Sequence, residues 1–411
     1  MHNRSHTATP PHLPPSPSVG DLKKRWNDNR TSVKRGKTAP VMVAFATILL
    51  LKALFMNNEE VVSPFVSQKD EDIECRQSKL ALVDSSTYTY EPSSIEQYII
   101  DHTKSLGYET TGTDLANTCD IIFDDTLPIH KDLQQYFADL KRYNKLLRKF
   151  QPLDDLRLKF NSEREKQQAC EATKLHKRGL SGIFKRDQVS NSSSVGIFEP
   201  LFPTMRSHKI CTDFESNLLA MDYLVHDFYS MCLQLQKDSR LIFIDMGASL
   251  DFHDDLHGEM PAIYIHSIYS KFGFKFDHIY AYEVNPKYPS KVFEAIPDEL
   301  LSSWHWINVG VDARKCAKMN PFTMLVNSFT PEDFIVVKLD IDTPVVEAAL
   351  VEQLRKDPEL LQLVDQFYFE HHVHQLELSR PWAGTMEGSV GGSLDLMQDL
   401  RRKGIAAHYW P

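Results

Sequence analysis

From Leu241 to the C-terminus, short apolar runs alternate with helical stretches, and this alternation constrains the fold more than any other feature of the chain. Leu241–Ile244, His278–Tyr282, Trp306–Val309, Phe334–Leu339 and Gln366–Phe369 read as five strands. Ile263–Phe272 and Val345–Leu354 read as helices between them. The strand runs are nearly continuous in apolar residues, as in strands buried on both faces. Strand–helix alternation of this kind predicts an α/β fold with a mostly parallel sheet covered on both sides. Just upstream, Thr212 and Glu215 form a T-x-x-E capping pattern. Leu218, Met221, Val225, Phe228 and Cys232 follow at helical spacing, which predicts one helix through this segment.

In an open α/β sheet, ligands bind beyond the C-terminal ends of the strands. The residues that follow each run are therefore the candidates for chemistry. The first run ends in Asp245-Met246-Gly247-Ala248-Ser249, where the glycine lets a ligand approach the backbone and Asp245 adds an acceptor. The second ends in Glu283-Val284-Asn285-Pro286, and an acid there can accept both hydroxyls of a ribose. The third is followed by Gly310-Val311-Asp312, placing Asp312 to meet an adenine amino group. The fourth ends in Lys338-Leu339-Asp340-Ile341-Asp342 and the fifth in Glu370-His371-His372.

Taken in order, the series IDMGAS, YEVNP and VKLDID resembles the motif set of S-adenosylmethionine-dependent methyltransferases of the FkbM type, over about residues 240–411. The resemblance implies a Rossmann-like methyltransferase domain that binds S-adenosylmethionine through Asp245, Gly247, Ala248, Ser249, Glu283, Asp312 and Asp340. It implies methyl transfer to an oxygen of a glycan or small-molecule acceptor, with Glu370, His371 or His372 as base. The sequence departs from the family in two places. Leu250–His257 stands where the second loop glycine belongs, and Asp342-Thr343-Pro344-Val345 replaces E-G-A-E.

These residues also admit structural readings. Asp245 can cap a turn, Lys338 and Asp340 can form an ion pair at the sheet edge, and the histidines can bond loop backbone. The histidine groups Glu370-His371-His372-Val373-His374 and His253-Asp254-Asp255-x-His257 have the donor types of a zinc, iron or manganese site, but no metal is assigned to them. Two other functions compete. Asp340-Ile341-Asp342 is a D-x-D triplet that a type II glycosyltransferase uses to hold Mn²⁺. A non-catalytic lumenal scaffold is the other.

The N-terminal part has a different character. Residues 1–38 carry eight Lys/Arg and two Asp/Glu, a net of +6, so the remainder of the −10 chain carries −16. An acidic main body argues against nucleic acid as a partner. Ala39–Met56 holds one charge, Lys52, in 18 residues, or roughly 27 Å of helix, enough to cross a hydrocarbon core. Lys34, Arg35 and Lys37 before it predict a single-pass membrane protein with its C-terminus lumenal, in the Golgi or ER. The expected organisation is a disordered cytosolic tail at 1–38, a span at 39–56 and a stem at 57–91. A helical accessory region and linker (92–205) and the Rossmann-like domain (206–411) follow. Leu133, Tyr136, Phe137, Leu140, Tyr143 and Leu147 share one helical face in the accessory region. All six cysteines lie beyond the span, an even number that permits disulfides in an oxidising lumen without specifying their pairing. Asn191-Ser192-Ser193 is a glycosylation sequon. The pattern leaves the oligomeric state open.

Overall fold

The computed structural model describes residues 88–175, 186–189, 196–202, 206–250, 261–382 and 384–411. The apolar segment Ala39–Met56, the sequon at Asn191 and the His253/His257 pair lie outside them. Among the described residues no helix is long and apolar enough to cross a membrane.

The N-terminal part of this body is helical. Helix α1 (Ser94–His102) starts at a capping box in which Ser93 and Glu96 satisfy each other's backbone amides. Helix α2 (His130–Lys149) buries Leu133, Tyr136, Leu140 and Tyr143 along the face predicted from spacing, while its other side carries Lys and Arg. Helix α3 (Glu163–Ala172) is capped by Ser162. The single helix expected after Thr212 does not form. A short turn, Phe214–Asn217, is capped by Asp213, and helix α4 (Phe228–Gln234) restarts at Asp227. Between them the backbone makes only isolated turns, and the Val225 amide donates to Glu199 and the His226 amide to the Tyr143 hydroxyl. Two Asp caps and these outside acceptors outcompete a continuous helix, although the apolar spacing still buries Val225, Phe228 and Cys232.

The sheet has six strands: β1 (Leu241–Met246), β2 (His278–Tyr282), β3 (Trp304–Ile307), β4 (Phe334–Leu339), β5 (Val364–Phe369) and β6 (Ala406–Tyr409). Its order is β3-β2-β1-β4-β5-β6 and every adjacent pair is parallel. The chain starts in the middle, winds to one edge, returns and winds to the other, as in doubly wound folds. The crossovers carry helices α5 (Pro261–Lys271), α6 (Pro289–Ala295), α7 (Pro321–Ser328), α8 (Pro344–Lys356), α9 (Pro358–Leu363) and α10 (Val390–Arg402). Helices α6 to α9 each have Pro in their first turn, where its missing N–H costs nothing. Every residue of β1 and β4 is buried, which is why both read as apolar runs, broken only by Asp245 and Lys338 near their C-terminal ends.

Strands β2 and β4 match the residues expected. β1 extends to Met246, β3 begins two residues earlier than expected, and β5 begins at Val364. Strand β6 was not anticipated. Gly404, in a left-handed conformation at φ 95°, ends α10 and turns the chain into it. Residues 196–202, within the segment read as a linker, contribute Ile197, Phe198, Leu201 and Phe202 to the buried interior. Arg186–Val189 pairs antiparallel with Tyr88–Thr89 on one side and Gly196–Ile197 on the other, in a small separate sheet. One hydrophobic core runs from Ile95 and Tyr143 through the sheet to Trp410.

Candidate functional site

The order reversal lies between β1 and β4, and the region beyond their C-terminal ends is where such sheets hold ligands. Asp245, Gly247, Glu283, Asp340 and Glu370 are all at this edge, because β2, β1, β4 and β5 run parallel and in step. Gly247 adopts φ 90°, and a Cβ there would lie 1.6 Å from the Asp340 carbonyl oxygen. The two strand ends therefore touch through backbone, which only glycine permits. The Gly247 and Ala248 amides both donate to the Tyr282 carbonyl, drawing the β1 loop over the end of β2. Ser249 follows in the same turn, its amide donating to Gly247.

Glu283 is 8% exposed and stands one residue past β2. Its Oε1 accepts the Asn285 amide at 2.6 Å, and Asn308 donates to its carbonyl oxygen. Asp312 sits beyond β3 and pairs with Arg314 at 2.7 Å; the hydrogen bonds from Arg314 hold its carboxyl below the usual range. Asp245 is only 1% exposed, so it is set back from any ligand. Burial raises its pKa, opposed by the Lys338 ammonium 3.1 Å away.

Lys338 organises the next layer. It is fully buried and reaches Asp245, Asp340 at 3.0 Å and the Gly247 carbonyl at 3.0 Å. Those carboxylates keep it protonated in spite of burial. Asp340 also shares a hydrogen bond with Glu370. Burial and the neighbouring Glu370 raise the Asp340 pKa well above the carboxylate range, with Lys338 opposing. Glu370 goes the other way: burial would raise it, but the Arg206 guanidinium holds it well below the usual carboxylate range. Arg206 is itself buried, pairs with Glu370 and lies over the Trp382 ring at 4.3 Å. The two carboxyls titrate as a pair, Asp340 the member pushed up and Glu370 the member held down.

His372 is 2% exposed, with Nε2 3.1 Å from Glu370 Oε2 and 3.9 Å from Asp342 Oδ1. Its Nδ1 meets the Thr385 hydroxyl at 2.9 Å. Asp342 is exposed and has φ 52°. Glu347, from the first turn of α8, accepts the Ile341 amide, and burial moves its pKa up to about 7. His371 parts from this group. Its Nδ1 contacts Ser393 at 2.7 Å, its ring stacks on Phe369, and burial lowers its pKa to about 4. His374 contacts the Gly388 carbonyl.

Of the candidates read from the sequence, Asp340, Glu370 and His372 form one cluster, with Asp245 joined to it through Lys338. Glu283 and Asp312 stand apart on the β2–β3 side, and His371 faces α10. Arg206, Glu347, Thr385 and Trp382 were not legible: each lies far from the cluster in sequence or in a segment without a strand-end signature. Comparison with protein-family models, with curated proteins and with solved structures finds no match to this chain.

Proposed function

We propose that this chain is an S-adenosylmethionine-dependent methyltransferase acting on an oxygen of a glycan or small-molecule acceptor. The supporting observation is Glu283. It places a carboxylate at the end of β2 beside the Gly247 turn, with Oε1 held by Asn285 and Oε2 without a hydrogen-bond partner among the described residues. A carboxylate so held is suited to the two ribose hydroxyls of a nucleoside. The sulfonium already activates the methyl group, so the protein's task is alignment and proton removal. With His371 turned toward Ser393, base duty on this reading falls to His372 or Glu370.

The glycosyltransferase reading finds less support. The first carboxylate of its D-x-D, Asp340, is engaged by Lys338 and Glu370. The proposal includes an anchor at Ala39–Met56 with a lumenal body. Disulfides Cys119–Cys211 and Cys170–Cys232 fit that oxidising setting.

Calorimetric titration with S-adenosylmethionine tests the reading. Wild-type protein should bind. Glu283→Gln keeps the shape and removes the charge, and should weaken binding about ten- to a hundredfold, the worth of a charge-assisted acceptor. Equal binding by both proteins displaces the ribose site. No binding at millimolar concentration leaves the scaffold reading in place.

A further inference from the structure

We infer that Asp342, Glu370 and His372 form a divalent-cation site that binds the acceptor hydroxyl; its role in catalysis rests on the methyl-transfer reading, its binding of metal does not. Each residue offers one ligand atom, and the three atoms lie within 4.8 Å of one another. They come from adjacent strand ends, since Leu339 pairs with Phe369 and the three residues follow within a few positions.

The buried, unpartnered Nε2 of His372 carries the argument. The Trp382 carbonyl lies 3.2 Å from the Thr385 hydroxyl and can take its hydrogen. With the hydrogen so placed, the hydroxyl accepts from His372 and Nδ1 bears the ring hydrogen. In the neutral ring Nε2 therefore presents a lone pair. That atom is buried, makes no hydrogen bond, and faces two carboxylates. Three electron-rich atoms pointing at one another call for a cation between them. Glu370 is oriented for this by Arg206 on Oε1, which leaves Oε2 toward the histidine. The Asp342 side chain is 69% exposed and can close the remaining distance. One imidazole nitrogen with two carboxylates suits Mn²⁺, Zn²⁺ or Fe²⁺.

The site is three strands from Glu283, roughly 14 Å at about 4.8 Å per strand. A cofactor with its ribose at Glu283 and its methyl group over β1 and β4 would face an acceptor held at β4 and β5. With His372 and Glu370 engaged as ligands, the cation replaces them as the means of activation: it lowers the pKa of the acceptor hydroxyl, whose proton leaves to solvent. The resulting alkoxide oxygen forms a bond to the methyl carbon as the carbon–sulfur bond breaks. Its electron pair returns to sulfur, leaving a neutral thioether.

The test uses the purified full chain and Mn²⁺, followed by electron paramagnetic resonance. Saturable binding of one ion per chain is expected. Asp342→Asn, at an exposed side chain whose loss does not threaten folding, should weaken it at least tenfold. Asp298→Asn, an exposed acid elsewhere, should leave it unchanged. Absence of saturable binding, or equal affinity in Asp342→Asn, overturns the site and leaves His372 and Glu370 as an ion pair. S-adenosylmethionine is titrated in parallel without metal. Cofactor binding without Mn²⁺ binding overturns this inference and keeps the methyltransferase; Mn²⁺ binding without cofactor binding keeps the site and removes the proposed activity.

Discussion

At the N-terminal edge of the sheet, three aspartates do the same job with different partners. Asp277 accepts the Leu241 amide, Asp333 the Arg240 amide and Asp365 the Ile335 amide, so each satisfies a donor at the start of a neighbouring strand. Arg157 pairs with Asp277 and Arg240 with Asp333. Against the effect of burial, Arg240 holds Asp333 below the usual range. Asp365 has no such cation, and burial followed by the nearby Asp333 moves its pKa up to about 8. Its pKa in the unfolded chain is about 4. The folded state thus keeps a proton that the unfolded state releases. Asp365 stabilises fully below about pH 4, and that contribution is lost as pH rises through 8. Asp365→Asn keeps an acceptor for Ile335 and cannot ionise. Its melting temperature should match wild type near pH 4 and exceed it by about 3 °C or more at pH 9, since each kcal/mol shifts a chain of this size by roughly 2–4 °C. Melts that stay parallel across this range would show that Asp365 is ionised in the folded protein. None of this was readable beforehand, because an Asp before a strand looks the same with or without a cation beside it.

At the scale of elements, the join between β1 and β4 matters most. The Gly247 turn fits only because Asp340's backbone occupies the space where a side chain would start. Gly247→Ala combines a positive φ with a backbone collision. It should cost about 3–5 kcal/mol, measured as a lower urea midpoint, by pushing the two strand ends apart. A stable variant would mean that the loop shifts freely, and the geometry of that edge would need redrawing. The glycine was legible as a special position from D-x-G; its contact with Asp340 was not, since 93 residues separate them. The same distinction applies at Thr212–Cys232. The apolar period marks Val225, Phe228 and Cys232, which are buried, but Leu218 and Met221 are only partly buried, and Glu199 and Tyr143 take backbone amides that a continuous helix requires. Strand β6 escaped for a related reason: AAHY is too short and too weakly apolar to read alone, and its identity comes from pairing with β5.

Across the whole molecule, the N-terminal helices and the sheet share one interior. Buried Arg401, from α10, donates to the Ala407 carbonyl, the Tyr90 hydroxyl and the Glu199 carbonyl, and lies 3.5 Å from Glu96 of α1. His408 of β6 bonds Glu199 at 2.8 Å. Covalent links run the same way: Cys170–Cys232 ties α3 to α4, and Cys119–Cys211 joins segments 92 residues apart. A Cys170→Ala/Cys232→Ala double variant releases a loop of 62 residues and should lose about 2–5 kcal/mol in urea unfolding. Unchanged stability would mean that packing alone holds α3 in place.

By itself the sequence determined the parallel α/β class, five of the six strands to within two residues, and the edge where acids gather. These follow from local quantities: the length of an apolar run, its periodicity, and the rule that strand ends of a parallel sheet share a face. The tertiary structure alone decided which acids become partners. Asp340 hydrogen-bonds Glu370 because β4 and β5 are neighbours, and Glu370 is held below the usual carboxylate range because Arg206 folds over it from outside the sheet. His371 and His372 are adjacent in the chain, yet one faces Ser393 and the other two carboxylates. Charge state and orientation depend on what lies within a few ångströms in space, and sequence distance does not carry that information.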